Sequence, residues 1–296
     1  MSVELESAAR LNALKQGIEA KTGETYPDLT GGVNALIAGY GQGGGGDDVV
    51  RSIVNRSITE FSDSEITTIG DSSFYDCLSL TEVDCPNVRT IGRYAFQIHV
   101  SINNTTPLTV NLPLVTNIGE STFEKRKGMT TGNWPLVTSL GVRAFVSCEA
   151  LKELYFPKLV ATQATSCFLN CYGLTVISRL AFPVMKDLWV SFFEACENLT
   201  RAEFDVIQNV YQNAFRSCSN FNTLVLRYNG VAVLKNKNCF EGTPIASGTG
   251  YIYVPSAHID GYKLATNWSV YADQFRALED YTVDGTVDGD LDESKI

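Results

Sequence analysis

Eight cysteines and two histidines are the residues of this 296-residue chain best suited to covalent or metal chemistry. Cys77, Cys148, Cys171, Cys196 and Cys218 each stand three residues after a phenylalanine. At the same offset the other copies of that phenylalanine are followed by His99, Arg126 and Thr243. A zinc site would use closely paired ligands, but there is no Cys-x-x-Cys, and Cys167 and Cys171 merely flank Phe168. Neighbouring members of such a column lie about 5 Å apart, within reach of a disulfide, yet parallel side chains meet its dihedral preference poorly. Free buried thiols are therefore expected. A Cys77–His99 thiolate pair would lack the third group that orients the base. Gly39, Gly41 and Gly44 match G-x-G-x-x-G, but no strand precedes them and no helix follows, so they read as linker. The stretch from Asp284 to Asp290 alternates acids and glycines, yet it does not supply the register of an EF-hand calcium loop. No catalytic residues, no cofactor and no metal are expected, and the chain is read as a non-enzyme.

Something must hold these columns in line, and the sequence supplies it as a repeat. The aromatic recurs at Phe74, Phe96, Phe123, Phe145, Phe168, Phe193, Phe215 and Phe240, with spacings of 22, 27, 22, 23, 25, 22 and 25. Ile-Gly or Leu-Gly precedes several copies, as in Ile69-Gly70, Ile91-Gly92 and Leu140-Gly141. A phrase L-x-x-V-x-x-P-x-V follows, as Leu80, Val83, Pro86, Val88 and as Leu151, Leu154, Pro157, Val160. A period of 20 to 29 residues with this pattern indicates leucine-rich-repeat stacking. The fold class is accordingly an α/β-type repeat solenoid over residues 49–278, in which stacked coils share a core that none could build alone.

The ends have a different character. Residues 3–21 read as an amphipathic helix with Leu11, Leu14 and Ile18 on one stripe. A second short helix follows, with Val33, Leu36 and Ile37 apolar. Together they form a helical attachment module over residues 1–40, which is too small to bury its own stripe. Residues 41–48 are a glycine-rich linker. The net charge is −10, of which −6 falls in residues 279–296, where seven acids face one lysine. That segment is expected to be a mobile tail. The acidic balance argues against nucleic acid. No apolar run is long enough to insert in a membrane, and the first residues do not read as a secretory signal.

The frame I-G-x-x-A-F-x-x-C-x-x-L-x-x-V-x-x-P resembles the BspA-type leucine-rich repeats of bacterial surface and phage proteins. The aromatic stretch from Tyr251 to Gln274 resembles their terminal cap. Residues 11–23, followed by Asp28-Leu29-Thr30, are similar to a segment at the start of phage tail and baseplate-associated proteins. This resemblance implies a phage virion surface protein, made in the host cytoplasm, that serves as a tail fibre or receptor-binding protein. Its N-terminal helices would bind other virion proteins, and a homo-oligomer is expected, a trimer in the case of a fibre.

Strand alternation places one side chain in two outside. Alignment by frame gives outward residues Asp84, Asn111, Asn133, Tyr155, Ala181, Glu203, Val225 and Tyr253. A neighbouring column holds Glu82, Thr109, Thr131, Glu153, Arg179, Arg201, Thr223 and Tyr251. The candidate binding face comprises Asp84, Asn111, Asn133, Glu153, Tyr155, Arg179, Arg201, Glu203, Tyr251 and Tyr253, and a bacterial surface glycan or protein is the expected ligand. The insertion His99–Thr109 and the basic run Lys125–Lys127 are further contact points. The alternatives are a structural or decoration protein whose solenoid is only a spacer, and a bacterial surface adhesin.

Overall fold

A phenylalanine recurring once per coil leaves its two ring faces open along the stack, so they must be covered by the coils above and below. The computed structural model describes residues 56–160, 164–283 and 286–287. The attachment helices with Leu11, Leu14, Ile18, Val33, Leu36 and Ile37, the glycine linker and the tail beyond residue 287 lie outside the described residues. The described chain winds into a parallel β-solenoid of about 10 turns.

The eight repeat phenylalanines form a single column of stacked rings. Centroid spacings run from 5.1 Å for Phe74–Phe96 to 5.8 Å for Phe215–Phe240. All eight are fully buried. Burial of each ring contributes about 2–3 kcal/mol, and stacked or tilted contacts add to that. Phe61 closes the column at one end, and Trp268 and Tyr271 close it at the other.

Two parallel strand ladders flank this column. The first comprises β1 (Glu60–Ser62), β3 (Glu82–Asp84), β5 (Pro107–Asn111) and β7 (Gly128–Met129). It resumes with β9 (Val176–Ile177), β11 (Arg201–Phe204), β13 (Thr223–Leu226), β15 (Tyr251–Val254) and β16 (Phe275–Ala277). An isolated parallel bridge between Asn133 and Tyr155 lies between the two groups. The second ladder comprises β2 (Thr68–Ile69), β4 (Thr90–Ile91), β6 (Asn117–Ile118) and β8 (Ser139–Leu140), then β10 (Asp187–Leu188), β12 (Asn209–Val210) and β14 (Val233–Leu234). Glycine follows the strand in the early coils because the turns approach closely there. A Cβ on Gly141 would stand 2.5 Å from the Gly119 carbonyl carbon. In later coils Trp189 and Tyr211 take that place and stack at 4.8 Å.

The third side holds turns where an α/β coil would hold a helix. The α-helix of the described residues, α1 (Ile259–Leu264), belongs to the cap. Each run around a repeat phenylalanine sends alternate N–H groups along the stack. The N–H groups of Arg143, Phe145 and Ser147 donate to the carbonyls of Thr165, Cys167 and Leu169. The residues two before and two after the aromatic adopt positive φ, as in Ser72 and Asp76, Arg143 and Ser147, and Ser191 and Ala195. Small polar residues tolerate that region, whereas an ordinary side chain costs about 1–2 kcal/mol there.

All eight cysteines are free and buried. The column has a definite polar function. The Sγ–H groups of Cys148, Cys171, Cys196 and Cys218 donate to the carbonyls of Phe123, Phe145, Phe168 and Phe193, one coil back, at 3.0–3.2 Å. His99 does not fill the column, contrary to the sequence expectation. It is exposed and bonds Ser101, so a Cys77–His99 pair does not form. Arg126 fills the gap instead. It is wholly buried and donates to Phe96 O at 2.6 Å, Cys77 O at 2.9 Å and Phe74 O at 3.3 Å. Burial pushes its guanidinium down to about 10, still charged at neutral pH. The basic run Lys125–Lys127 is therefore not an open contact point: Arg126 is structural, and Lys127 pairs with Glu149 at 2.8 Å. One expected core position shifts by a residue, since Leu159 is buried and Val160 is exposed.

Ala195 adopts φ 56° with no side-chain reason for it. Ala195→Gly should raise stability by about 0.5–1 kcal/mol, read as a higher urea midpoint. An unchanged or lower midpoint would count against strain at this turn. Burial pushes the thiols of Cys77, Cys85, Cys167 and Cys239 and the phenols of Tyr262 and Tyr271 up to about 12. The folded state holds those protons more tightly than the unfolded chain does. Stability should therefore be full below pH 9 and fall as pH rises toward 12. Native protein at pH 8 should resist thiol alkylation, and unfolded protein should label at all eight sites with no gain after reduction. Extra labelling after reduction would refute the free-thiol arrangement.

Candidate binding face

Along each strand of the first ladder, apolar residues alternate inward, so the remaining side chains line one outer face. In β11 and β13, Ala202, Phe204, Leu224 and Leu226 are core residues, which turns Arg201, Glu203, Thr223 and Val225 outward. Backbone register then fixes which outward residues are neighbours. Ser62, Asp84 and Asn111 form one row, and Glu60, Glu82 and Thr109 form the next. The Asn111 amide donates to Asp84 Oδ1 at 2.8 Å. Asn133 lies beside Tyr155, with Glu153 exposed on the same segment. Toward the C-terminus the rows are Arg201–Thr223–Tyr251 and Glu203–Val225–Tyr253–Arg276.

The face is electrically polarised along the stack. Its N-terminal end is acidic, with Glu60, Glu82 and Asp84 exposed or half-buried. Its C-terminal end carries Arg201, Arg227 and Arg276 beside two tyrosines. The Arg276 guanidinium sits 4.3 Å from the Tyr251 ring centroid, a cation–π contact.

Four of the expected positions depart from this pattern, in two ways. Arg179 is not the neighbour of Arg201, because Val176 takes that register. Phe156 N–H donates to Ala181 O at 2.8 Å, while Ile177 pairs with Ala202. The residues Ser178–Leu180 are thus interposed between the part facing one neighbour and the part facing the other. This coil runs 25 residues from Phe168 to Phe193, and the excess over the 22-residue spacing is accommodated here. Ala181 consequently turns inward and is buried.

The second departure is that Glu203 and Val225 point outward yet are closed off, at 4% and 0% exposure. After β16 the chain makes a 3-10 turn at Leu278–Asp280, and Tyr281 folds back over the strands. The Tyr281 hydroxyl donates to Glu203 Oε1 at 2.9 Å, and its ring lies 4.8 Å from that of Tyr253. Val225 sits in the row between those two contacts. Glu203 is further held by Arg227 at 2.8 Å and Arg201 at 3.2 Å, and Arg227 also approaches Asp205 at 3.5 Å. Ser256 donates to the Glu279 carboxylate, and the backbone N–H of Glu279 itself, followed by Ser256, holds that carboxyl below its usual range. Tyr281, expected to lie in a mobile tail, is therefore packed on the sheet, while Glu279 and Asp280 before it are exposed. Sequence reading missed Tyr281, Arg227 and Asp205, since nothing in their spacing belongs to the repeat.

Among the described residues no group of three or more His, Cys, Asp or Glu is placed to hold a metal ion, and no helix is long and apolar enough to cross a membrane. What the face offers is hydrogen bonding, charge and aromatic surface.

Comparison with solved structures finds a leucine-rich repeat protein from Bacteroides ovatus, at 17% identity and a TM-score of 0.49, covering 66% of this chain and 63% of that one. The chain thus spans less than two thirds of that protein's length. A leucine-rich repeat protein from T. pallidum matches at 21% identity and TM-score 0.45, over 57% of this chain and 79% of that one. A leucine-rich cell surface protein from Faecalibacterium prausnitzii matches at 17% identity and TM-score 0.24, over 73% and 82%. No curated protein matches the chain. The BspA type leucine-rich repeat profile matches in six copies over residues 54–175 and 175–254. With the ring column, the two parallel ladders and that match over more than half its length, the chain belongs to the BspA type leucine-rich repeat family.

Proposed function

We propose that this protein is a non-enzymatic binding scaffold of the phage virion surface, a tail fibre or receptor-binding protein. Its N-terminal helices join it to other virion proteins, and its strand face meets a bacterial surface glycan or protein. The observation that carries the binding part is the row structure of the outer face. Asp84 and Asn111 stand in register across adjacent coils, and Asn133 stands beside Tyr155. An array of carboxylate, amide and phenol groups on rigid strands suits a glycan, whose hydroxyls both donate and accept and whose apolar faces pack on aromatic rings. The resemblance of residues 11–23 to phage tail proteins supports the virion part of the reading.

A structural or decoration protein is the second reading. It is favoured by one observation: the chain's own Tyr281 already covers Glu203 and part of the face.

The triple change Asp84→Ala, Asn111→Ala and Tyr155→Ala, made in the full chain, should lower binding to susceptible host cells at least tenfold. The melting temperature should change little, because all three side chains lie on the outer side of the strands. Undiminished cell binding would overturn the assignment of this face. Removing residues 1–40 should abolish incorporation into particles, scored by immunoblot of purified virions. Retained incorporation would refute the attachment role.

A further inference from the structure

The C-terminal end of the strand face is a formed recognition slot with an occupant already in it. Its floor is Val225, its walls are Tyr253 and the Arg201–Glu203–Arg227 cluster, and its polar anchor is the Glu203 carboxylate. Outward-facing groups on a strand are ordinarily wet. Here a carboxylate is 4% exposed and is fixed from two sides by arginines before any ligand arrives. Its Oε1 also accepts from one phenol, that of Tyr281.

The strap that delivers this phenol is lightly fastened at its base. Glu279 meets Ser256 through exposed hydrogen bonds at 3.0–3.4 Å. Leu278 is only partly buried and Asp280 is exposed. The hold is thus concentrated in Tyr281, which is buried against Tyr253 and Glu203. Within the slot the Arg201 and Arg227 guanidiniums are already met by Glu203 and Asp205.

We propose that this slot is a binding site for a tyrosine-bearing extended segment of a partner polypeptide, and that residues 278–281 are its internal placeholder. The partner's phenol donates to Glu203 and packs on Tyr253 after the strap lifts. The proposal rests on the reading of the strand face as a partner surface. It concerns the C-terminal rows alone, so its failure leaves host-cell binding by Asp84, Asn111 and Tyr155 standing.

The test uses the full chain with Tyr281→Ala and, as probe, the peptide Ala-Leu-Glu-Asp-Tyr-Thr-Val, the sequence of residues 277–283. Titrations are followed by two-dimensional NMR, which detects affinities as weak as millimolar. The Tyr281→Ala chain should show saturable shifts, and the unsubstituted chain should bind at least tenfold more weakly, because its own strap competes at high effective concentration. A peptide with alanine in place of its tyrosine should not bind. Adding Glu203→Gln to the Tyr281→Ala chain should weaken binding at least tenfold, with the dispersed spectrum certifying a folded stack. No saturable response in the Tyr281→Ala chain, or equal responses in the substituted and unsubstituted chains, would overturn the proposal. So would equal binding of the alanine peptide.

Discussion

The separation between successive coils is set by backbone hydrogen bonding at about 4.8 Å, and every other feature answers to it. Whatever a residue is, its counterpart in the next coil stands almost directly above it. Each position must therefore be filled by something that tolerates its own kind at contact distance. Phenylalanine rings do so by stacking face to face. Glycines do so by vanishing, since any Cβ would strike the turn below. Thiols do so because each has a backbone carbonyl to bond in the coil behind it. Charges do not stack readily, and Glu60 beside Glu82 is an exposed exception that water screens.

That rule explains why so much could be read without coordinates. The ring column, the thiol column and the outward rows at Asp84–Asn111 and Glu203–Val225–Tyr253 all repeat with the chain's own period, so alignment alone lines them up. What stayed hidden is whatever breaks the period or ignores side-chain identity. The left-handed turn positions are occupied by Ser, Asp, Asn, Tyr, Lys, Arg and Ala alike, because they are required by N–H direction and not by chemistry. The shift between Val176 and Arg179 follows from where surplus residues are extruded, and a coil length of 25 does not state where that is. Arg126 was legible as a member of the thiol column from its offset after Phe123, but not from its neighbours. A run of Lys-Arg-Lys looks solvated, yet the middle residue turns inward at a point where the thiol is missing and reaches carbonyls of the two preceding coils.

The C-terminal cap shows how an irregular segment ends such a stack. Trp268 Nε1 donates to Ala232 O at 2.6 Å, and Tyr262 Oη accepts from Ala232 N at 3.0 Å. One residue of the last coil thus has both backbone groups satisfied by the cap's aromatic side chains. Trp268, together with Tyr271, also covers the final ring of the column. Tyr281 continues the use of aromatic side chains on the outer face, where its hydroxyl donates to a buried carboxylate. The described C-terminal segment is in that sense cap and face at once.

Arg126 has a consequence for how such a protein can change in length. Coils that touch only their neighbours can be duplicated or deleted as whole units, and the stack simply becomes taller or shorter. Arg126 belongs to the third coil but bonds carbonyls of both the second and the first. A break introduced between them would strand a buried cation away from its carbonyl partners in the first two coils. The first three coils are therefore tied together as one block by this side chain. The coils joined by the thiol column from Cys148 onward, each bonded one step back, are where the solenoid is free to grow.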